Sequence, residues 1–368
     1  MAQPVFTRLL ILMLLVFFSV IITTITLVRR EQQVIAEYST NDDGVLGHST
    51  TAKLSSEDKR KQKFGALDFS TEVDCDYDCQ MEIQKYRKKT ITEQCAALGM
   101  ASNHHNTTLN PKVIRKLEHF LVLDKYKIIY CYIPKAGCTN WKRVLLVLSG
   151  KANSTQSIGQ KETHVLTSKY IRSLSTYTIS EAKYRLENYV KFTFVRNPFV
   201  RLLSAYRDKL EKRTSLNGVF RKDWSKKMKK LTEAFKRYRL RGMDLNTTFH
   251  EYVEYVSDPQ NNLLDPAEEH WIEMFRLSHP CAINFDFIGR VETLDRDTNF
   301  VLRNIIGISP KKILFRNSTN PTNSSDGRLL QKYFSDVPRK DVRALYQRFA
   351  PDFKLFGYED PISLLEED

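Results

Sequence analysis

The chain has no G-x-x-x-x-G-K-[ST] run. Nucleoside-triphosphate enzymes hold phosphate with that loop, so a kinase of that type is set aside. It has no internal repeat of solenoid period, which excludes a stacked array. Only Cys75-x-x-x-Cys79 has metal-ligand spacing, and no second Cys or His pair suits it, so zinc is set aside in favour of disulfides. Glycine and proline are scarce, at 13 and 12 of 368 residues, and 42% hydrophobic with 27% charged content is a globular composition. That length buries one large core or two modest ones. Acidic residues are the scarcer sign. There are 43 Asp and Glu against 57 Lys and Arg, a formal net charge of +14. Such a balance favours polyanions: nucleic acid, acidic membrane, acidic glycan or a phosphorylated cofactor.

Compartment decides among these. Leu9 to Val28 is a run of 20 residues without a charge, long enough to cross a bilayer. It ends in Arg29-Arg30 with no small-residue cleavage site, so the reading is a signal anchor and not a cleaved leader. Arg8 precedes the span and two arginines follow it, so flanking charge does not set the orientation. Five N-x-[ST] sequons do: Asn106, Asn153, Asn246, Asn317 and Asn323. The expected topology is type II, with a cytosolic tail (1–8), the span (9–28), a lumenal stem (29–110) and a catalytic domain (111–368). A lumenal body argues against nucleic acid as the partner. The six cysteines would then lie in an oxidising lumen, where some should pair in a pattern the sequence leaves open.

Residues 31 to about 74 are polar and aperiodic, as a stem would be. A helical pattern follows, with Cys95 near its end. Val113, Ile114, Leu117, Phe120 and Leu121 make a further helical stripe. Then "KYKIIYCYI" reads as a buried strand and "NWKRVLLVLSG" as a helix closed by Gly150. The pattern repeats with strand "YVKFTFV", turn Arg196-Asn197-Pro198 and helix "FVRLLSAYRDKL", and again with "INFDFIGRV" before "DTNFVLRNIIG". Strands alternating with helices predict an α/β fold, a mainly parallel sheet flanked by helices. Arg221 to Gly242 carries ten Lys and Arg against Asp223 and Glu233, a one-signed excess that suits an anionic partner.

Ligands of such sheets sit beyond the carboxyl ends of the strands. Two loops lie there. In the first, Pro134-Lys135-Ala136-Gly137-Cys138-Thr139-Asn140 leads into a helix whose first N–H groups have no partner in the helix. Gly137 allows close approach, Lys135 supplies an ammonium, and Thr139 supplies a hydroxyl. In the second, Arg196 ends a strand and Ser204 follows eight residues on. Two such loops suit a nucleotide phosphorylated at two separate positions.

"IPKAGCTNWKRVLLVLSG" together with "FVRNPFVRLLSAYRDKL" resembles the Golgi carbohydrate sulfotransferases. The group includes the chondroitin, dermatan and terminal N-acetylgalactosamine 4-O-sulfotransferases and a glucuronyl 3-O-sulfotransferase. The resemblance runs from about 111 to 358 and takes in His164, "EEHW" (268–271), "HPCAINFDFIGRVETL" (279–294) and "FKLFGY" (353–358). It implies a P-loop-like sulfotransferase fold and 3′-phosphoadenosine 5′-phosphosulfate as sulfuryl donor, with no metal. It implies that Pro134–Asn140 cradles the 5′-phosphosulfate, that Lys135 meets the bridging oxygen, and that Arg196, with Asn197 and Pro198 beside it, and Ser204 hold the 3′-phosphate. The base that takes the sugar proton is left among His164, His270, Glu268 and Glu269.

Two positions depart from the group. Asn197 stands where it usually has Asp or Glu, and Ser278 replaces the first cysteine before Cys281, which puts the family's disulfide pattern in doubt. The acceptor is expected to be an acidic glycan. "KAGCTNWKRVL" is nearest the N-acetylgalactosamine 4-O enzymes, whereas "DFKLFGY" resembles the glucuronyl 3-O enzyme. A membrane-anchored glycan-binding protein without activity is the alternative from another class. Intact Lys135, Thr139, Arg196 and Ser204 speak against it.

Overall fold

The computed structural model describes residues 75–100, 111–211, 224, 247–258, 261, 269–310, 313, 315 and 322–365. The expected anchor Leu9–Val28, the sequons at Asn106, Asn246 and Asn317, Glu268, and all of the basic segment but Trp224 lie outside the described residues. No helix among the described residues is long and apolar enough to cross a membrane.

Four short strands form one sheet in the order β1 (Phe120–Leu123), β2 (Ile128–Cys131), β3 (Val190–Val195) and β4 (Phe287–Arg290). β2, β3 and β4 run parallel, and β1 is antiparallel at the edge. Apolar runs without alternation form these strands because both faces are covered. Along β2, Ile129 and Cys131 enter one apolar cluster while Ile128 and Tyr130 enter the other. Gly289 in β4 has a packing reason. A Cβ there would come within 2.3 Å of the Phe194 ring on the neighbouring strand.

The expected helical stripe from Val113 to Leu121 is two elements. Helix α2 spans Pro111–Arg115, and Phe120 and Leu121 belong to β1. Spacing of apolar residues alone does not separate these cases. Four consecutive buried residues, FLVL, gain strand partners through a tight return at Asp124–Tyr126 and left-handed Lys127 (φ 48°).

Helix α1 (Tyr77–Ala97) falls in the span that sequence assigns to the stem. It packs on the same core as the sheet. Gln84 bonds both the N–H and the carbonyl of Ile288 in β4, and Arg87 pairs with Asp297 at 2.7 Å, both side chains fully buried. Disulfides join Cys75 to Cys79 and Cys95 to Cys281, leaving Cys131 and Cys138 as buried thiols. Cys281 is therefore bonded despite Ser278, whose hydroxyl instead donates to the Met274 carbonyl.

Helix α3 (Cys138–Leu148) follows β2, and helix α6 (Pro198–Tyr206) follows β3. Between them come α4 (Gln160–Tyr170) and α5 (Ile179–Asn188). Trp141 anchors α3 against the sheet, wholly buried among Tyr130, Phe192 and Phe194. Both helices thus start at the carboxyl edge of the sheet.

Candidate active site

The loop after β2 turns sharply. Lys135 (φ 69°) and Gly137 (φ 77°) are both left-handed. Glycine tolerates that conformation, whereas lysine is held in it by the surroundings. Gly137 is the residue before α3, so the first N–H groups of the helix face outward beside Lys135. These groups carry the positive end of the helix dipole.

The loop after β3 is built differently. Asn197 accepts from the N–H groups of Phe199 and Val200, capping α6, and its own N–H donates to Glu292 at 2.8 Å. Pro198 occupies the first turn, where its missing N–H costs nothing. Arg196 reaches back instead. Its Nη1 donates to the Lys135 carbonyl at 3.2 Å, and Nη2 donates to Ser324 (3.1 Å) and Ser325 (2.7 Å). Nε of Arg196 is buried without a partner.

A cleft of about 650 Å³ opens between these loops. Its walls bring together Pro134, Lys135, Gly137, Cys138, Thr139, Asn140, Arg196, Ser204, His164 and His270 of the expected set. Three expected residues stand behind the wall. Ala136 is fully buried in the core, Asn197 spends its side chain on the helix cap, and Pro198 packs beneath it. A larger cavity, about 1340 Å³, lies at the opposite edge of the sheet near Lys191 and Asp286, away from the loops.

Several cleft residues were not legible in the sequence. Asp208 accepts from Lys135 Nζ at 2.5 Å, both side chains largely buried. It follows Ser204 by four residues, and that helical spacing was the available signal. The segment Thr322–Ser325 closes one side: Thr322 bonds Ser204 at 3.1 Å and Ser324 at 3.0 Å. Asn323, one of the sequons, is exposed on this wall with φ 48°, and the sequon's Ser325 hydroxyl is engaged by Arg196. Asn153 is exposed on a loop outside the cleft.

Arg201 is the third such residue. Almost wholly buried, it donates to the carbonyls of Pro134 (3.0 Å), Glu269 (3.0 Å) and Ile272 (2.7 Å). One guanidinium thereby ties the Lys135 loop to the segment that carries His270. Trp271 locks that segment from the other side, buried against Trp224 and Tyr252.

Charge in the cleft is mostly positive: Lys135, Arg143, Arg196 and Lys209 against Asp208 and Asp326. Burial pulls the Lys135 ammonium below its ordinary pKa, and Asp208 opposes that shift. Burial also lowers Arg196, with Glu292 acting the other way. The cleft walls desolvate His164 and, with Lys142, Lys209, Lys135 and Arg143 nearby, bring its pKa down to about 4, although its ring still opens to solvent. His270 is lowered well below its usual value, first by burial and then by Lys209 and Lys135. Both imidazoles are neutral at neutral pH, the form that accepts a proton.

The motifs near the carboxyl terminus support the second loop. Glu292, which accepts from the Asn197 N–H, also accepts from the Tyr358 hydroxyl at 3.0 Å. Arg290 donates to the Phe356 carbonyl at 2.6 Å and lies over the Tyr358 ring.

A strand-end cleft with two cationic loops suits an anionic ligand, and residues 118–359 match the sulfotransferase family. The chain belongs to that family and is a sulfotransferase, of the kind that acts on carbohydrate. Carbohydrate sulfotransferase 11 of Rattus norvegicus is 35% identical over 283 residues, covering 76% of this chain and 77% of that protein. Carbohydrate sulfotransferase 12 of Mus musculus is 32% identical over 312 residues, 77% and 70% of the two chains. Carbohydrate sulfotransferase 10 of Gallus gallus is 34% identical over 261 residues, 68% and 69%. No solved structure gives a significant match.

Proposed function

We propose that the chain transfers a sulfuryl group from 3′-phosphoadenosine 5′-phosphosulfate to the 4-hydroxyl of N-acetylgalactosamine in a chondroitin- or dermatan-type glycan, as a type II protein of the Golgi lumen. One observation carries the donor reading. Arg196 from one strand-end loop is bonded to Lys135 of the other, so two anion-binding loops face a single cleft. The residues fit a donor with phosphate at two places. The Arg196 Nε, buried and unpartnered, points to a missing anion.

When bound, the donor supplies an activated sulfur whose bond to a phosphate oxygen breaks as the bond to the sugar oxygen forms. The rest falls to this chain. Thr139 and the first N–H groups of α3 hold the 5′-phosphate. Arg196 and Ser204, with Ser324 and Ser325 beside them, hold the 3′-phosphate. Lys135 turns from Asp208 to the bridging oxygen and stabilises charge gathering there, the kind of fixed electrostatic help that such in-line transfers need. His164 takes the proton of the sugar hydroxyl at its ring nitrogen. It lines the cleft and is neutral, while His270 sits deeper and Glu269 turns its carboxylate towards Tyr132.

The acceptor reading draws on "KAGCTNWKRVL" and on the net charge of +14, which suits an acidic polymer. The lumenal placement draws on the Leu9–Val28 run and the sequons. A transfer assay with radiolabelled donor tests both reaction and acceptor. Its arms are desulfated chondroitin, dermatan, and glycans ending in N-acetylgalactosamine or glucuronate. Label on the 4-hydroxyl of N-acetylgalactosamine in the first two is expected. Transfer only to terminal glucuronate overturns the acceptor, and no transfer with no donor binding overturns the reaction.

A further inference from the structure

The cleft holds one lysine to which the reaction above gives no part. Lys209 lines the wall together with Lys135, His164 and His270. Local backbone sets its place there. Helix α6 ends at Tyr206, and Arg207–Glu211 continues it as a single π-turn. Such a turn bonds residue i to i+5, where a regular helix bonds i to i+4, and it recurs at functional sites. The wider turn lets Asp208 and Lys209, four and five residues after Ser204, both join it on the cleft wall. Arg207 turns aside, to Glu211 at 3.0 Å and to the Thr322 carbonyl.

Two ammoniums meet one oxygen in this cleft. Asp208 Oδ2 lies 2.5 Å from Lys135 Nζ and 3.7 Å from Lys209 Nζ. All three side chains are mostly buried. The lysines come from different loops, after β2 and after α6, yet they face a common point, and a carboxylate oxygen occupies it. One carboxylate against two ammoniums leaves positive charge in a place with little water, which favours a further anion. The Lys209 charge also helps to keep His164 and His270 neutral, as expected of a cation set among the reacting groups.

We propose that Lys209 is a second catalytic lysine: its ammonium binds a terminal oxygen of the sulfuryl group, near the point that Asp208 Oδ2 marks, while Lys135 meets the bridging oxygen. The inference rests on the donor reading above. In the transfer, the bond from sulfur to the phosphate oxygen breaks and its electron pair stays on that oxygen. The bond from sulfur to the sugar oxygen forms, and the sugar proton passes to His164. Lys209 holds the sulfuryl group in line between the two oxygens.

Calorimetry on the full chain without acceptor tests this, because two nucleotides differ by the sulfuryl group: 3′-phosphoadenosine 5′-phosphosulfate and 3′-phosphoadenosine 5′-phosphate. The variants are Lys209→Met and Lys209→Arg, checked by thermal melting. Lys209→Met is expected to weaken phosphosulfate binding about 10- to 100-fold, the usual scale for a lost hydrogen bond to a charged group, and to change phosphate binding by less than about twofold. In initial-rate kinetics its kcat should fall about 10²-fold, with KM for the acceptor within about twofold of wild type. Lys209→Arg, which keeps the charge, should retain most of the preference for the phosphosulfate. Equal weakening of both nucleotides assigns Lys209 to a phosphate and overturns the proposal. Unchanged phosphosulfate affinity in Lys209→Met overturns it too. A wild type that binds neither nucleotide overturns the donor reading itself. That result is separate from a wild type that binds both with an indifferent variant.

Discussion

Arg196 donates a hydrogen bond to the carbonyl of Lys135 across 61 residues of chain. The contact joins the two loops on which the reaction depends, and it uses backbone on one side. A substitution of the Lys135 side chain therefore leaves it intact, whereas a substitution of Arg196 removes it.

Arg196→Lys is expected to weaken binding of 3′-phosphoadenosine 5′-phosphate by about 10- to 100-fold, since an ammonium cannot reproduce the three-way fork to Lys135, Ser324 and Ser325. Ser324→Ala with Ser325→Ala should have a smaller effect of the same sign. Calorimetry measures both. Nucleotide affinity equal to wild type in Arg196→Lys would remove the phosphate role.

Lys135→Ala is expected to lower kcat by about 10²- to 10³-fold. Asp208→Asn gives a more specific signal. Burial lowers the Lys135 pKa and Asp208 supports it, so removing the carboxylate lowers it further. The ammonium is then lost at a lower pH. The alkaline limb of kcat/KM should move to lower pH in Asp208→Asn, and a pH–rate profile that does not move contradicts the pairing.

His164 titrates near pH 4, so an acid limb at about that pH is expected in kcat/KM of the free enzyme. Bound donor adds negative charge beside Lys135 and Arg143, which should raise the His164 pKa, as an imidazole titration by NMR would report. His164→Ala should lower kcat by about 10²- to 10⁴-fold. There is also a stability consequence. The folded pKa lies below the unfolded value of about 6.5, so the unfolded chain binds the proton more readily. His164 therefore contributes fully above that value, and its contribution declines as pH falls to about 4. Denaturation midpoints of His164→Gln should show a shallower fall over that interval.

Cys95 and Cys281 close a loop of 186 residues between helix α1 and the segment before β4. Replacing the pair by serine is expected to cost about 2–5 kcal/mol, measured by chemical denaturation. Peptide mapping without reduction should recover Cys75–Cys79 and Cys95–Cys281, with the fully buried Cys131 alkylated only after unfolding.

Much of the site was legible because local chemistry places it. The strands at 128–131, 190–195 and 287–290 are short apolar runs, and Gly137 and Asn197 set the helix starts that follow two of them. Asp208, Arg201 and Thr322–Ser325 were not legible. Their partners lie 73, 67 and 118 residues away, at Lys135, Pro134 and Ser204. The place of α1 in the core and the edge strand β1 were similarly hidden. An apolar spacing that suits a helix also suits a short strand when a neighbour offers its backbone.

By itself the sequence determined the family, the parallel core of the sheet and the two strand-end loops, because each depends on residues adjacent in the chain. Tertiary structure alone decided that Arg196 and Lys135 share one cleft, that Asp208 holds the lysine, that Cys281 pairs with Cys95, and that Lys142 turns away from Arg143 onto Tyr132. Each of these is a contact between groups whose separation along the chain carries no information about their distance in space.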